Sequence, residues 1–174
     1  MAKNCLNKLA SNITVECTIR QVGVKDIYLM HAEDVTFTYN AVGIIMTAAF
    51  AENAKSYRIE GYKQNIQVTA SLKTTDASAR IDSSVSFKLP YNYDTRDFIN
   101  SVVSGKFYVL VVFNDGDFTV LGDTSPLECS SADFDSNANA KMASITLASP
   151  EGSAGNSARV VAAAAVTTIT SKSV

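Results

Sequence analysis

The sequence predicts an all-β sandwich or barrel of about ten strands with one flanking helix. Three observations predict it. Apolar residues recur at every second position in segment after segment, the period of a strand with one buried face. One stretch alone, "DTRDFINSVVSG", spaces them as a confident helix does. And the segment Phe107 to Phe113 is apolar throughout, as a strand with water on neither side is free to be.

Taken in order, "NCLNKLASN" predicts a short helical turn near the N-terminus. "NITVECTIRQV" places Ile13, Val15, Cys17 and Ile19 on alternate positions, and "DVTFTYN" repeats this with Val35, Phe37 and Tyr39. "SYRIEGY" sets Tyr57 and Ile59 against the charged Arg58 and Glu60. "QNIQVTASLKTT" puts Ile66, Val68, Ala70 and Leu72 on one side, and "ARIDSSVSFKLPY" carries Ile81, Val85, Phe87 and Leu89. Thr and Ser fill many outward positions, which suits a solvated sheet face.

The helix falls at 95–104, where Phe98, Ile99, Val102 and Val103 form an apolar stripe. Asp94 or Thr95 is placed to cap its start, Asp97 sits in the first turn, and Gly105 stands where a left-handed residue would end it. The all-apolar strand follows directly. "NDGD" then supplies the Asp-Gly pair that tight hairpins favour, and "FTVLGD" returns as far as Gly122. The central strand needs cover on both faces: an opposing sheet on one, and the helix stripe or a neighbouring subunit on the other. "SPLECSSADFDS" reads as a polar edge or loop with a short strand at Leu127 to Cys129. "KMASITLASP" alternates again until Pro150, and "EGSAGNS" is a loop of small residues. "ARVVAAAAVTTITS" is alanine-rich, but its β-branched Val, Thr and Ile favour a strand.

A chain of 174 residues is long enough for a single domain with a sizeable core, spanning 1–174, with candidate contact arms at 1–12, 40–53 and 150–174. The arm at 40–53, "NAVGIIMTAAFAEN", is too apolar for an ordinary loop and reads either as an interface or as another core strand. Charged residues make up only 18%, which suits a surface partly hidden against neighbours. A net charge of −2, with no Lys/Arg cluster, offers no field for reading nucleic acid. No apolar run approaches the roughly 18 residues of a membrane span, and the N-terminus carries no secretory pattern. Three cysteines, Cys5, Cys17 and Cys129, are too few and too widely spaced for a disulfide framework or a zinc ribbon.

Candidate chemistry is sparse. The single histidine, His31, lies in "YLMHAED" beside Glu33 and Asp34, without metal-ligand spacing and without a nucleophile-elbow GxSxG elsewhere. The pairs Asp115/Asp117 and Asp133/Asp135 have calcium-like spacing but no EF-hand loop, and the first is accounted for by its turn. No glycine-rich phosphate loop is present. Tyr91 and Tyr93 in "LPYNYD" could form a small sugar-stacking platform or cover the seam at the helix start. No catalytic, cofactor-binding or metal-binding residue is assigned, and no cofactor or small-molecule substrate is expected. A β scaffold without a reactive centre usually binds or builds.

The order of elements carries a resemblance. A helix from Asp94 to Gly105, the hairpin "KFYVLVVFNDGDFTVLG", the acidic-polar "SSADFDS" and the late strand "ASITLASPEG" together resemble the small β-barrel virion proteins of tailed bacteriophages, especially phages of gut Bacteroidetes. The resemblance covers about residues 55–150; residues 1–50 and the C-terminal tail lie outside it. It implies a tail-tube or neck subunit that forms rings or a tube with copies of itself and other virion proteins. Such a subunit is made in the host bacterial cytoplasm and resides in the virion, without sequence-specific nucleic-acid binding or membrane attachment. A head decoration protein is the nearest alternative; a cell-surface adhesin or carbohydrate-binding module, and a small hydrolase, are more distant ones.

Overall fold

The structure is a computed structural model that describes residues 3–4, 14–15, 23–61, 65–75, 78–134, 141–150 and 159–174. The expected N-terminal helical turn and most of the strand around Ile13 to Ile19 fall outside these residues. Two short pieces there, β1 (Lys3–Asn4) and β2 (Thr14–Val15), pair antiparallel. The candidate arm at 1–12 is otherwise undescribed.

The rest is an all-β, sandwich-like fold. Its strands are β3 (Val24–His31), β4 (Val35–Tyr39), β5 (Ile45–Phe50), β6 (Ser56–Glu60), β7 (Ile66–Thr75) and β8 (Ser78–Pro90). The helix α1 (Tyr93–Ser104) follows, then β9 (Lys106–Phe113), β10 (Phe118–Leu121), β11 (Leu127–Phe134), β12 (Met142–Ala148), β13 (Arg159–Val160) and a second helix, α2 (Ala163–Ser171). Nine strands join one sheet, which forks at β9. One edge of β9 takes β3 along nearly its whole length. The other edge is shared: β10 pairs with Val109–Val112 and β11 with Lys106 and Phe107. One limb therefore runs β6-β3-β9-β10-β13, and the other continues from β11 through β12 and β8 to β7.

Period-two alternation splits β9 between two cores. Phe107, Val109 and Val111 join Ile27 and Leu29 of β3, and meet Val85 and Phe87 of β8 and Ile145 and Leu147 of β12. Ile99 and Val102 of α1 belong to this same core. Leu110 faces the other way, with Tyr28 and Met30, into a second core built from Val35, Phe37, Ile45, Ala48 and the α2 residues Ala165, Val166 and Ile169. The expected opposing sheet is present, but α1 lies on its side of β9. The second face is covered by the β4–β5 hairpin and α2.

Several local expectations are corrected. The C-terminal segment is a helix, because Ala165, Val166 and Ile169 bury at i, i+1, i+4 and the hydroxyls of Thr167 and Thr168 donate to the C=O groups of Ala163 (2.9 Å) and Ala164 (3.0 Å). That burial outweighs the modest helix cost of β-branched residues. Ser56 fastens its end: the buried hydroxyl donates to Ile169 C=O at 2.7 Å and the backbone N–H to Lys172 C=O. The cap of α1 is Asn92, whose Oδ1 accepts from Thr95 N–H at 2.9 Å while the Thr95 hydroxyl accepts from Asn92 N–H, a reciprocal box. Gly105 is extended, at φ −96°, and is required because a Cβ would collide with the Phe107 ring. β11 reaches Phe134, held by pairing with β12 despite its exposed side chains. β3 has no counterpart in the alternation pattern, since Ile27 to Met30 are buried without a break.

Ile169 is wholly buried. Ile169→Ala is therefore expected to lower stability by about 2–4 kcal/mol in urea unfolding, a core-sized loss from a C-terminal segment.

Candidate functional site

The residues singled out for chemistry scatter over the surface. His31 ends β3, and its ring packs on Phe107 (centroids 4.8 Å) and edge-on to Tyr57 (6.2 Å). It shares a small pocket of about 270 Å³ with Asp97 and Ser101. Ser101 spends its proton on the backbone, donating to Asp97 C=O at 2.9 Å, and among the described residues no hydrogen bond links His31 to either. Glu33 and Asp34 form the turn beside it, where Asp34 N–H donates to His31 C=O. Asp115 accepts from Asp117 N–H at 3.2 Å across Gly116, whose φ of +90° the turn demands, so this pair shapes the hairpin. Asp133 is exposed on β11 opposite Ser144, and Asp135 lies outside the described residues. Among the described residues no three His, Cys, Asp or Glu side chains gather as a metal site. Tyr91 stacks against Phe134 (4.5 Å) at the edge of the first core, while Tyr93 stands 84% exposed with Arg96 over its ring. The two tyrosines thus face different surroundings. Cys129 is a free, half-buried thiol held above its ordinary pKa by burial, partly offset by its bond to Ser131 C=O.

The features that do concentrate lie at the edges of the β9 limb. At the β13 end, Arg159 Nε donates to Asp123 Oδ2 at 2.6 Å, and the Asp123 carboxylate is only 4% exposed. Arg159 Nη1 also donates to Gly43 C=O at 3.1 Å, and the guanidinium lies 5.5 Å from the centre of the Tyr39 ring. One side chain thereby ties the tip of the β4–β5 hairpin to the sheet. Asn40 finishes the tip: its Oδ1 accepts from Val42 N–H (3.1 Å) and Ile44 N–H (2.8 Å). Segment 40–53 thus divides. Ile45 and Ala48 are core, whereas Val42 is 82% exposed, with Tyr39, Met46 and Val160 also exposed nearby.

At the β6 end, Arg58 Nη2 holds the buried Asp26 at 3.1 and 3.2 Å. Beside it opens a cleft of about 760 Å³ with an apolar floor of Ile59, Leu89, Phe98 and Met142 and a polar rim of Arg58, Glu60 and Lys88. Sequence reasoning did not find it, because its walls come from β6, β8, α1 and β12. The 150–174 arm is anchored here too: Val174 N–H donates to Ser56 C=O, and Val174 lines the cleft.

Sheet edges complete the inventory. β7 ends the second limb. It pairs with β8 in unbroken register over all ten of its residues, but β12 pairs with β8 only from Ser84 to Pro90. Among the described residues the outer half of the β7–β8 hairpin is therefore a two-stranded ribbon.

A scan of protein-family models, a search of curated proteins and a search of solved structures each return no match to this chain. Among the described residues no helix is long and apolar enough to cross a membrane.

Two outcomes follow. Arg159→Ala strands a buried carboxylate and is expected to cost about 3 kcal/mol in denaturant unfolding, with Asp123→Asn in the same background recovering part of it. Tyr28, Tyr39 and Tyr108 all titrate above the ordinary 10.0, mainly because burial disfavours the phenolate and then because Asp26 or Asp123 repels it. The unfolded chain releases these protons first, so the stability they contribute is whole below pH 10.0 and is lost as pH climbs through the higher folded values. Thermal melts above pH 10.0 should fall steadily, with the share of phenolate absorbance due to these three tyrosines appearing together with unfolding.

Proposed function

We propose that the protein is a self-assembling structural subunit, of tail-tube or neck type in a bacteriophage virion. The observation that carries this reading is the outer edge of β7, with which no strand pairs among the described residues. Soluble proteins blunt long edges with proline, bulges, inward charges or a covering segment. β7 runs ten residues without proline or bulge and with Lys73 as its one charge. Its outer half belongs to a two-stranded ribbon, which is marginal alone and gains from a third strand. An edge of this kind is a docking site in an oligomer. The resemblance of the element order to small phage virion proteins supports the tube or neck reading over a free-standing adhesin. The separation of Tyr91 from Tyr93 weakens the sugar-platform alternative.

The backbone phase makes the edge testable without harming the fold. Lys88 N–H donates to Asn65 C=O at 3.2 Å, so odd-numbered β7 residues turn their amides toward β8 and even-numbered ones toward the free edge. Ala70 is exposed and even-numbered. Wild-type protein is expected to form rings or hollow rods by negative-stain microscopy and to scatter light as an oligomer. Ala70→Pro should give a single-subunit mass with an unchanged circular dichroism spectrum. Wild-type protein that stays monomeric at all concentrations, and binds only to preformed shells, would replace this reading with head decoration.

A further inference from the structure

We propose that residues 159–174 are a strap that undocks as one unit while the rest of the fold stays closed, and that its undocking bares the edges of β5 and β6. The strap is a device of the single chain, and it undocks whether or not copies assemble.

The strap belongs to one core only. Val161, Ala165, Val166 and Ile169 are buried in the second core, and no residue of the strap enters the first. The first core is closed instead by β8, β12 and α1. Losing the strap therefore thins one layer and leaves the other whole. Its backbone ties are local as well. β13 pairs with β10 over two residues, and single bridges join Val161 to Ile45 and Ser173 to Ser56. Side chains fasten the two ends. Arg159 holds the Asp123 carboxylate and Gly43 C=O at the start, and the Ser56 hydroxyl holds Ile169 C=O near the finish.

The composition of α2 makes the event all-or-none. The helix has nine residues, and isolated helices below roughly 12–15 residues are marginal in water. Its run from Val166 to Thr170 is β-branched throughout, Ala162 supplies no side-chain cap, and neither an acid in the first turn nor a base in the last complements the dipole. The helix exists because its apolar stripe is docked. Once Ile169 leaves the core, little remains to keep the turn wound, so undocking and melting happen together.

What the strap covers gives the event a consequence. Ala162 N–H donates to Ile45 C=O at 2.8 Å, Ser56 N–H donates to Lys172 C=O at 3.1 Å, and Val174 N–H donates to Ser56 C=O at 3.2 Å. These are backbone groups on strand edges, the kind that a chain shields against unwanted pairing. Ile45 and Ser56 are both wholly buried while the strap is down. With the strap up, they face water as open edges beside an uncovered apolar layer. One terminal segment thus governs whether two strand edges are available, without the first core having to open.

Native-state hydrogen exchange on the full chain tests this. The amides of Thr167 to Ile169, Ala162 and Ser56 are expected to share one opening free energy and to exchange about a hundredfold or more faster, after correction for intrinsic rates, than those of Val109 to Val111 in β9. Two mild variants then separate the events. Ile145→Val trims the first core, which the closed and strap-open states share, so it should speed β9 exchange about threefold and leave α2 exchange unchanged. Ser56→Ala weakens the closed state alone, so it should speed α2 and β9 exchange alike, by about fivefold. Exchange of α2 at the β9 rate in the wild type, or acceleration of α2 together with β9 in Ile145→Val, means that the segment opens only with the whole fold and overturns the strap. Rates graded from Thr167 to Ile169 that Ser56→Ala leaves unchanged mean residue-by-residue fraying and overturn it too.

Discussion

Strand β9 is dry on both faces, and the rest of the structure follows from that. Its odd residues need one apolar cover and its even residues another, so no single sheet facing water could hold it. The first cover is the opposing limb, with Val85, Phe87, Ile145 and Leu147 facing Phe107, Val109 and Val111. The second is a layer of different character, a two-stranded hairpin and a short helix over Leu110, Tyr28 and Met30. β3 has the same problem and the same solution, since it lies beside β9 and buries five consecutive residues, Asp26 to Met30. The fork in the sheet also belongs to this constraint. β10 and β11 share one edge of β9, which lets one limb stay under the hairpin while the other turns back to close the first core.

The covering layer determines what the surface can present. The β4–β5 hairpin spends one face on the second core and leaves the other to Thr36, Thr38 and Thr47, with a hydroxyl–hydroxyl contact of 2.5 Å between Thr38 and Thr47. Because its base is locked by Ala51 N–H donating to Asp34 C=O and its tip by Arg159, the hairpin can hold apolar residues out in water without collapsing onto the sheet. Two ion pairs of the limb, Asp26–Arg58 and Asp123–Arg159, sit at its two ends, each with a buried acid and a more exposed base. In each, the carboxylate is the costly member, and the arginine fork compensates it while keeping its own stem available for packing.

Much of this was legible in the sequence wherever one face is wet. The alternations at Val85 to Leu89, at Ala143 to Leu147 and at Ile66 to Val68 appear as strands in the expected phase, and the Asp-Gly turn falls at Gly116. The reading failed where burial is two-sided or where a segment is defined by what it lies on. β3 escaped because continuous burial erases the period. α2 escaped because its valine, threonines and isoleucine argue for a strand until the Ala165, Val166, Ile169 stripe is set against the sheet. Of the candidate site, the unusual apolar content of 40–53 was visible, but not that it divides between core residues such as Ile45 and Ala48 and an exposed tip at Val42. The cleft was invisible, since Ile59, Leu89, Phe98 and Met142 meet only through topology.

The edges of the sheet bear on function through their inequality. Fold stability gives no reason to treat them differently, because an unpaired amide in water is already solvated. Yet among the described residues β13 pairs over only two. β6 is covered at Ser56 by the C-terminal segment running parallel to it. β5 is met at Ile45 by Val161 and Ala162. Short length and covering chain are the usual protections against unwanted pairing. Among the described residues β7 has neither, and it is the longest strand that ends the sheet path. On the assembly reading, a chain that protects several edges and leaves β7 unpaired among its described residues would grow along β7 in preference to its other edges.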